Sequence, residues 1–593
     1  MHHTSPRPSR WIAPPVAMLV VALAGVPRPL PAAPDAEVLE AERARIETIR
    51  RASAAAVSIF AGEAGGGSGV LVSRDGYAVT NFHVVQSAGP ALRCGLADGR
   101  LVDAVLVGID PTGDLAVVKL LNAEELPGAE LADSDDVEVG DWCFAAGNPF
   151  LLATDLRPSI SAGIVSGVHR YQFPAGTILE YTDCLQVDAA INPGNSGGGL
   201  FDAAGRVIGV NGRASFEKRG RVNVGAGYAI SANQVRNFLG CLKSGRLCDH
   251  ASLGATVASG ADGRVVVSDI LESSDASRRG LRYDDEIVAL AGRPVRTVNA
   301  FKNVLGTLPA GWQVPLVYRR DGRRQEMLVR LAGVHTAAEL AALVAGEGGP
   351  AAPPPKGRRP RQPPADRDEP PANESHAHPR PTELPAAVRA AYEARRGFVN
   401  HHFNVVERDR VAAAVARRRA GFGGGDWELR GSLATGGPFR ITLGDDEASV
   451  ELPTGASSIA ATDELDRSPQ PPGSGGLLAA LVLWRRLAIE GPAALGRTIY
   501  WGTAPRHPAA LGEHALPDLV DVLETAVAGV EARFLVDDGL VVGIDLWTEP
   551  DAEPCEVRFT PGADGRPGRM AVSRGGVPFG EFLFEAARLG DEP

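Results

Sequence analysis

A chain of 593 residues is too long for one hydrophobic core, so several domains are expected, each burying its own apolar surface. A formal net charge of -12, from 60 Lys and Arg against 72 Asp and Glu, argues against a nucleic-acid partner, because phosphate contact needs a dense basic face. Six cysteines in this length make no disulfide framework, and no Cys/His cluster has zinc-ligand spacing, so neither a metal nor another cofactor is expected.

The chain opens with MHHTSPRPSRWIAPPVAMLVVALAGVPRPLPAAPDAE, in which Arg7 and Arg10 precede an apolar run and then small residues. That is a signal-peptide pattern over residues 1–33. The run is removed on export or, being near the short end of a bilayer span, is kept as an anchor. No later segment reads as a membrane span, so the body is expected to be soluble in the periplasm or cell envelope. Residues 34–51 have helical spacing of charged and apolar residues. From residue 52 to 248 the texture turns β-rich, with VSIF, GVLVS, YAVTNFHVV, LVDAVLVGI, LAVVKLL, WCFAAG and RVIGVNG broken by Gly, Asp and Pro, which predicts barrels or sandwiches. GGGSG (residues 65–69) lacks the lysine of a phosphate loop and reads as a flexible connection. Cys241 and Cys248 are close enough to bridge in an oxidising compartment, while Cys94, Cys143 and Cys184 read as buried hydrophobes.

Residues 249–332 carry strand-like VVVSDI and DEIVALAGRPV, a helix from Val298 to Leu308, and a hairpin turning at Asp321 and Gly322. They form a separate compact block. Residues 333–384 are dominated by proline and charge and are read as an extended linker. Residues 385–593 combine the helical AAVRAAYEARRGFVNHHFN, many alternating strands and a buried helix at GLLAALVLWRRLAI, which predicts an α+β domain. Its late strands resemble LolA-like lipoprotein-carrier sheets, but no residue motif supports lipid binding.

INPGNSGGGL places Ser196 in a glycine-rich loop, YAVTNFHVV places His83 at a strand end, and GIDPTGDLAVVKL places Asp114 just before a strand. A lone histidine is usually structural and a lone Asp before a strand usually turns the chain. Together, in the order His, Asp, Ser within one β-rich segment, they have the arrangement of chymotrypsin-like proteases. With AAGNPF and VDAAINPGNSGGGL, residues 52–331 resemble the HtrA (DegP-like) family, a trypsin-like double barrel followed by a PDZ domain. The resemblance implies a chymotrypsin-like double β-barrel protease and a PDZ domain, which together with the Pro-rich linker and the α+β C-terminal domain make a multidomain, mainly β chain. It implies His83, Asp114 and Ser196 as the triad and the backbone of Gly194, Asn195 and Ser196 as the oxyanion hole, the N–H donors being those of Gly194 and Ser196. Gly199 and Asp284 stand where the family usually has proline and glycine.

Ala190 and Ile191 are expected to line the specificity pocket and to favour a small or medium aliphatic side chain; Asp188 reads as a structural hydrogen-bonder. Val210 to Ala214 is expected to pair with an extended substrate. Leu253, Gly254 and Ala255 match the PDZ carboxylate-binding loop. The expected partners are unfolded polypeptides, C-terminal peptides and two further copies in a homotrimer. The expected activity is ATP-independent serine endoproteolysis of unfolded or damaged proteins, with a chaperone or client-binding scaffold as the alternative.

Overall fold

The structure is a computed structural model that describes residues 35–590 apart from 63–64, 150–152, 173–178, 217–222, 346–383, 419–421, 462–463, 467–468, 513–515, 550–551 and 563–565. The predicted signal segment and most of the predicted linker lie outside the described residues. The chain divides into two compact units, Met1–Glu47 and Thr48–Pro593, and a helix covers Ala36–Ser53. Among the described residues no helix is long and apolar enough to cross a membrane.

Short β-branched and aromatic runs form strands that close on themselves and so leave no edge to solvent. Strands β1–β6 are Ala56–Phe60, Gly66–Leu71, Tyr77–Thr80, Ala91–Leu96, Leu101–Asp110 and Leu115–Leu120; they close a barrel in the order β1-β2-β3-β6-β5-β4. Strands β7–β12 are Trp142–Gly147, Ser159–Gln172, Tyr181–Val187, Gly199–Phe201, Val207–Phe216 and Asn223–Ser231; they close a second barrel in the order β10-β11-β12-β9-β8-β7. Ile59, Val79 and Val117 of the first barrel share one buried cluster with Phe144, Tyr181, Phe201 and Val210 of the second. Each such side chain contributes about 1.5–3 kcal/mol by leaving water. The shared core therefore fixes the two barrels against each other and presents loops from both at one cleft.

The GGGSG stretch is not a flexible connection: most of it lies in β2, and Ser68 is fully buried. A Cβ on Gly66 would fall 2.0 Å from the Ile59 carbonyl oxygen, and one on Gly67 would fall 2.8 Å from Val84 Cγ2 and 2.9 Å from the Ser196 oxygen. The glycines answer to close packing inside the barrel. Cys241 and Cys248 form a disulfide with Cα atoms 6.0 Å apart, within the range such a bond requires. Cys94, Cys143 and Cys184 are buried thiols, and burial pushes those of Cys94 and Cys143 up to about 12.

Residues 251–333 form a sheet with Ala255–Ser259 at one edge and Arg323–Arg330 at the other. Its helix, Val298–Gly306, is capped by the Thr297 side chain, which accepts from Ala300 N. Asp321 and Gly322 both have positive φ, 51° and 77°, as a two-residue hairpin turn demands. Asp284 sits at φ 68°, which explains why glycine suits this position and why Asp is among the few side chains that tolerate it. Ala332–Gly333 pairs back on Ala251–Ser252 and a helix covers Ala337–Ala345, so the start of the predicted linker is ordered structure.

The single helix expected near residues 385–404 is two. Ala386–Ala390 is followed by a turn with Gly397 at φ 87° and then by His401–Arg418. The Asn400 side chain accepts from His402 N and starts the second helix. Leu384, Val388 and Phe403 pack into the first-barrel core. The rest of the C-terminal region is an eleven-stranded antiparallel sheet whose first strand, Trp427–Leu433, pairs with its last, Val577–Leu589. Strand alternation gives it two faces. Tyr500, Leu523 and Phe534 pack with the buried helix Leu477–Glu490, whereas Trp501, Val522 and Leu535 join the core of residues 251–331.

Candidate active site

His83 follows β3 in a one-turn helix, Phe82–Val85. That turn is bound to the loop between β5 and β6: Phe82 N donates to the Asp114 carbonyl at 3.2 Å, Asn81 Nδ2 donates to the same oxygen at 3.0 Å, and His83 N donates to Asp114 Oδ1 at 3.0 Å. Asp110 shapes the loop by accepting Thr112 N at 3.2 Å and Gly113 N at 2.8 Å. Asp114 then takes φ 59°, a conformation Asp tolerates at some cost and one common at functional sites. His83 Nδ1 lies 2.7 Å from Asp114 Oδ2 and 3.0 Å from Oδ1. A carboxylate only accepts, so Nδ1 carries the proton of the neutral ring and Nε2 keeps its lone pair. Asp114 is 0% exposed, whereas the His83 side chain is 37% exposed.

Ser196 is delivered by the loop between β9 and β10. Its hydroxyl donates to the Gly212 carbonyl at 3.3 Å. Ser68, in β2, holds the loop from the first barrel. Ser68 N donates to the Ser196 carbonyl at 2.9 Å, its hydroxyl donates to the Gly194 carbonyl at 2.6 Å and accepts from Asn148 N at 2.9 Å, and its carbonyl accepts from Thr80 Oγ1 at 2.7 Å. Gly197, at φ 84°, packs against the strand leading to His83, where a Cβ would lie 2.2 Å from Ser68 O and from Thr80 Oγ1. The histidine strand and the serine loop are therefore in direct contact.

Gly194 has φ 100°. Asn195 N donates to Asn192 O at 2.9 Å, so this N–H is engaged within the loop. Among the described residues the N–H groups of Gly194 and Ser196 have no backbone acceptor, which leaves two donors for an oxygen near the Ser196 hydroxyl.

The residues expected to line the specificity pocket separate. Ala190 is exposed, whereas Ile191 is 1% exposed and sits in the second-barrel core. Asp188 accepts Ile164 N at 2.7 Å. Val210 and Asn211 are not a free edge: Val210 pairs with both Gly199 and Ile230, and Asn211 N donates to Gly198 O at 2.8 Å. In the 251–331 block Leu253 is a core residue. Gly254 has φ 69°, and its N–H donates to Ser252 Oγ at 3.1 Å. Ala255 begins the edge strand.

Asp135, His169 and Asp183 bring ligand-type atoms within 4.8 Å of one another. Arg293 already donates to both Asp183 oxygens at 2.9 Å, so a guanidinium holds the place a metal cation would take. Sequence reasoning missed Ser68, Tyr181, which donates to Asp114 Oδ2, and His250, which lies 2.8 Å from Asp110. Ser68 is a single polar residue in a glycine run, the one weak signal; the other two depend on partners far away in sequence.

Residues 67–210 match the family described as trypsin-like peptidase domain, and residues 251–331 match the PDZ domain family. A probable DegP-like periplasmic serine endoprotease of Chlamydia trachomatis is 36% identical over 289 residues, 47% of this chain and 56% of that protein. The periplasmic serine endoprotease DegP of Escherichia coli K12 is 36% identical over 277 residues, 45% of this chain and 56% of that protein. The chain thus spans just over half the length of the curated relatives it matches. Among solved structures, the HtrA-type protease AlgW with tripeptide is 31% identical with a TM-score of 0.40, over 49% of this chain and 96% of that one.

Proposed function

We propose that this chain, HtrA-type from its first barrel through its PDZ domain, is an exported, ATP-independent serine endoprotease that cuts unfolded or damaged polypeptides. The observation that carries the reading is the fully buried Asp114 carboxylate 2.7 Å from His83 Nδ1, just past the end of a strand tied through Ser68 and Gly197 to the Ser196 loop.

A serine hydroxyl is a weak nucleophile at neutral pH. His83 Nε2 takes its proton as Ser196 Oγ attacks the peptide carbonyl, and returns it to the departing amine. Asp114 keeps the second ring proton on Nδ1 and stabilises the imidazolium that forms between the two transfers. The carbonyl oxygen becomes an anion, and the N–H groups of Gly194 and Ser196 meet it; each such donor is worth about 100- to 1,000-fold in rate. Water then attacks the acyl-enzyme by the same proton path in reverse. Ala190 adds no charge at the rim, which suits an uncharged aliphatic side chain before the cut.

The PDZ domain takes C-terminal peptides along its open edge strand Ala255–Ser259, whose free N–H and C=O groups pair with another chain. The protease barrels assemble as a homotrimer, and a monomeric mass by light scattering contradicts that part of the reading. The test of the activity is degradation of unfolded casein: wild type digests it and Ser196→Ala does not, whereas equal, slow loss with both proteins refutes it.

A further inference from the structure

We propose that Tyr181 is a positioning residue of the triad, one that ties the acid on the first barrel to the nucleophile on the second; this rests on the protease reading above. Tyr181 opens β9, is 2% exposed, and donates its phenol proton to Asp114 Oδ2. The other donors to that carboxylate among the described residues, His83 N and His83 Nδ1, belong to the histidine itself. Imidazole and carboxylate held only by each other can rock as a pair. Tyr181 reaches the carboxylate from the barrel that carries Ser196, and so sets the pair against the nucleophile.

Gly212 supports this assignment. Its carbonyl accepts the Ser196 hydroxyl, and a Cβ there would lie 2.5 Å from Tyr181 Cε1 and 2.8 Å from the phenol oxygen. The tyrosine ring therefore occupies the space any side chain at 212 would need, and it touches both the acid and the residue whose carbonyl holds the Ser196 hydroxyl. The neighbouring titratable groups are engaged elsewhere. Asp110 and His250 pair behind Gly113 at 2.8 Å, and Glu180 accepts the Tyr171 hydroxyl.

The experiment uses the full chain and a fluorophosphonate probe that reacts with an activated serine, with labelling rates followed from pH 5 to 9, together with kcat and KM on dye-labelled casein. Tyr181→Phe is expected to slow labelling and kcat about 10- to 100-fold, the worth of one hydrogen bond to a charged group, with KM unchanged. The acid limb of the pH profile should move up by about half a unit or more, because the bare carboxylate stabilises the imidazolium more strongly. Tyr181→Ala is expected to be slower still, and adding Gly212→Ser should recover much of the loss by placing a hydroxyl near the vacated phenol position.

Wild-type rate and acid limb in Tyr181→Phe overturn the proposal, as does a double variant no faster than Tyr181→Ala. Should the variants fold poorly, 3-fluorotyrosine at 181 keeps the ring and strengthens the donor: the acid limb then moves down, and an unmoved limb overturns the proposal. A wild-type chain that is never labelled refutes the protease reading, which is a separate result.

Discussion

The cleft between the two barrels and the junction of the C-terminal sheet with the PDZ domain are both built on buried charge, and they use it in opposite ways. At the junction the two most buried carboxylates are each met by several donors. Asp545, 3% exposed, receives Arg330 at 2.8 Å and Arg558 at 2.6 Å; Glu556 receives Gln313 at 2.7 Å and the Ser573 hydroxyl at 2.9 Å. Burial pushes the Asp545 carboxyl up, but the two guanidinium groups outweigh it and hold it below the ordinary range. A chain of stacked groups crosses the same junction: Arg246, which follows the second barrel, lies 5.8 Å from the Trp501 ring, Arg533 lies 4.5 Å from Trp501 and 5.4 Å from Trp547, and Arg330 of the PDZ domain lies 5.2 Å from Trp547. In the cleft, by contrast, the buried Asp114 carboxylate is met by the Tyr181 hydroxyl and by a histidine ring that is itself part-exposed. A saturated buried charge holds domains together, whereas one relayed to a half-exposed ring can move a proton.

Four substitutions or conditions separate these two uses. Asp114→Asn should lower kcat about 10⁴-fold by imposing the wrong histidine tautomer, with thermal unfolding little changed; a loss of stability without loss of rate would erase the distinction. Asp545→Ala should do the reverse. It takes this carboxylate from two partly buried guanidinium groups, Arg330 and Arg558, and costs about 3 kcal/mol, the low end for a buried pair, seen as a lower Tm, while Ser196 labelling in the folded protein keeps its rate. Ser68→Ala removes the hydroxyl between Gly194 O and Asn148 N, and a rate loss of about 5- to 10-fold is expected from loosening the serine loop; an unchanged rate would make Ser68 a packing residue alone.

The smallest effect is a pH dependence where the PDZ domain meets the second barrel. Burial raises the Asp183 carboxyl, but Arg293 and His169 prevail and lower it. Its share of the docking is therefore present above the ordinary carboxylate range and lost as pH falls through the lowered value. His169 is raised, first by its hydrogen bond to Asp183. That share is complete below about pH 6.5 and fades as pH climbs through the raised value. Corrected hydrogen exchange in the Val298–Gly306 helix should thus be slower at pH 5.5 than at pH 8.5, and equal protection contradicts the docking role.

The sequence displays its chemistry in short local peptides, which is why TNFHVV, GDLAVV and GNSGG place His83, Asp114 and Ser196 in order before any fold is known. What supports them is non-local. Ser68 is legible only once β2 is seen to lie beside residue 196, Tyr181 only once β9 faces the β5–β6 loop, and His250 only once the chain leaving the second barrel returns to Asp110. GGGSG misleads because glycine serves both flexible loops and tight packing, and only the neighbours distinguish them. In the C-terminal region the alternation of apolar residues announces strands, yet pairing of the first with the last, Trp427–Leu433 with Val577–Leu589, is a matter of long-range register. Nor does composition reveal that Trp501 and Tyr500, adjacent in sequence, serve two different cores.

The central claim is that Asp114, His83 and Ser196 act as one proton-transfer unit. Mass spectrometry of the intact chain after fluorophosphonate treatment, followed by peptide mapping, tests it most directly. The account predicts one adduct, on Ser196, lost in His83→Ala; an adduct at another residue, or one on Ser196 formed equally well without His83, would contradict it.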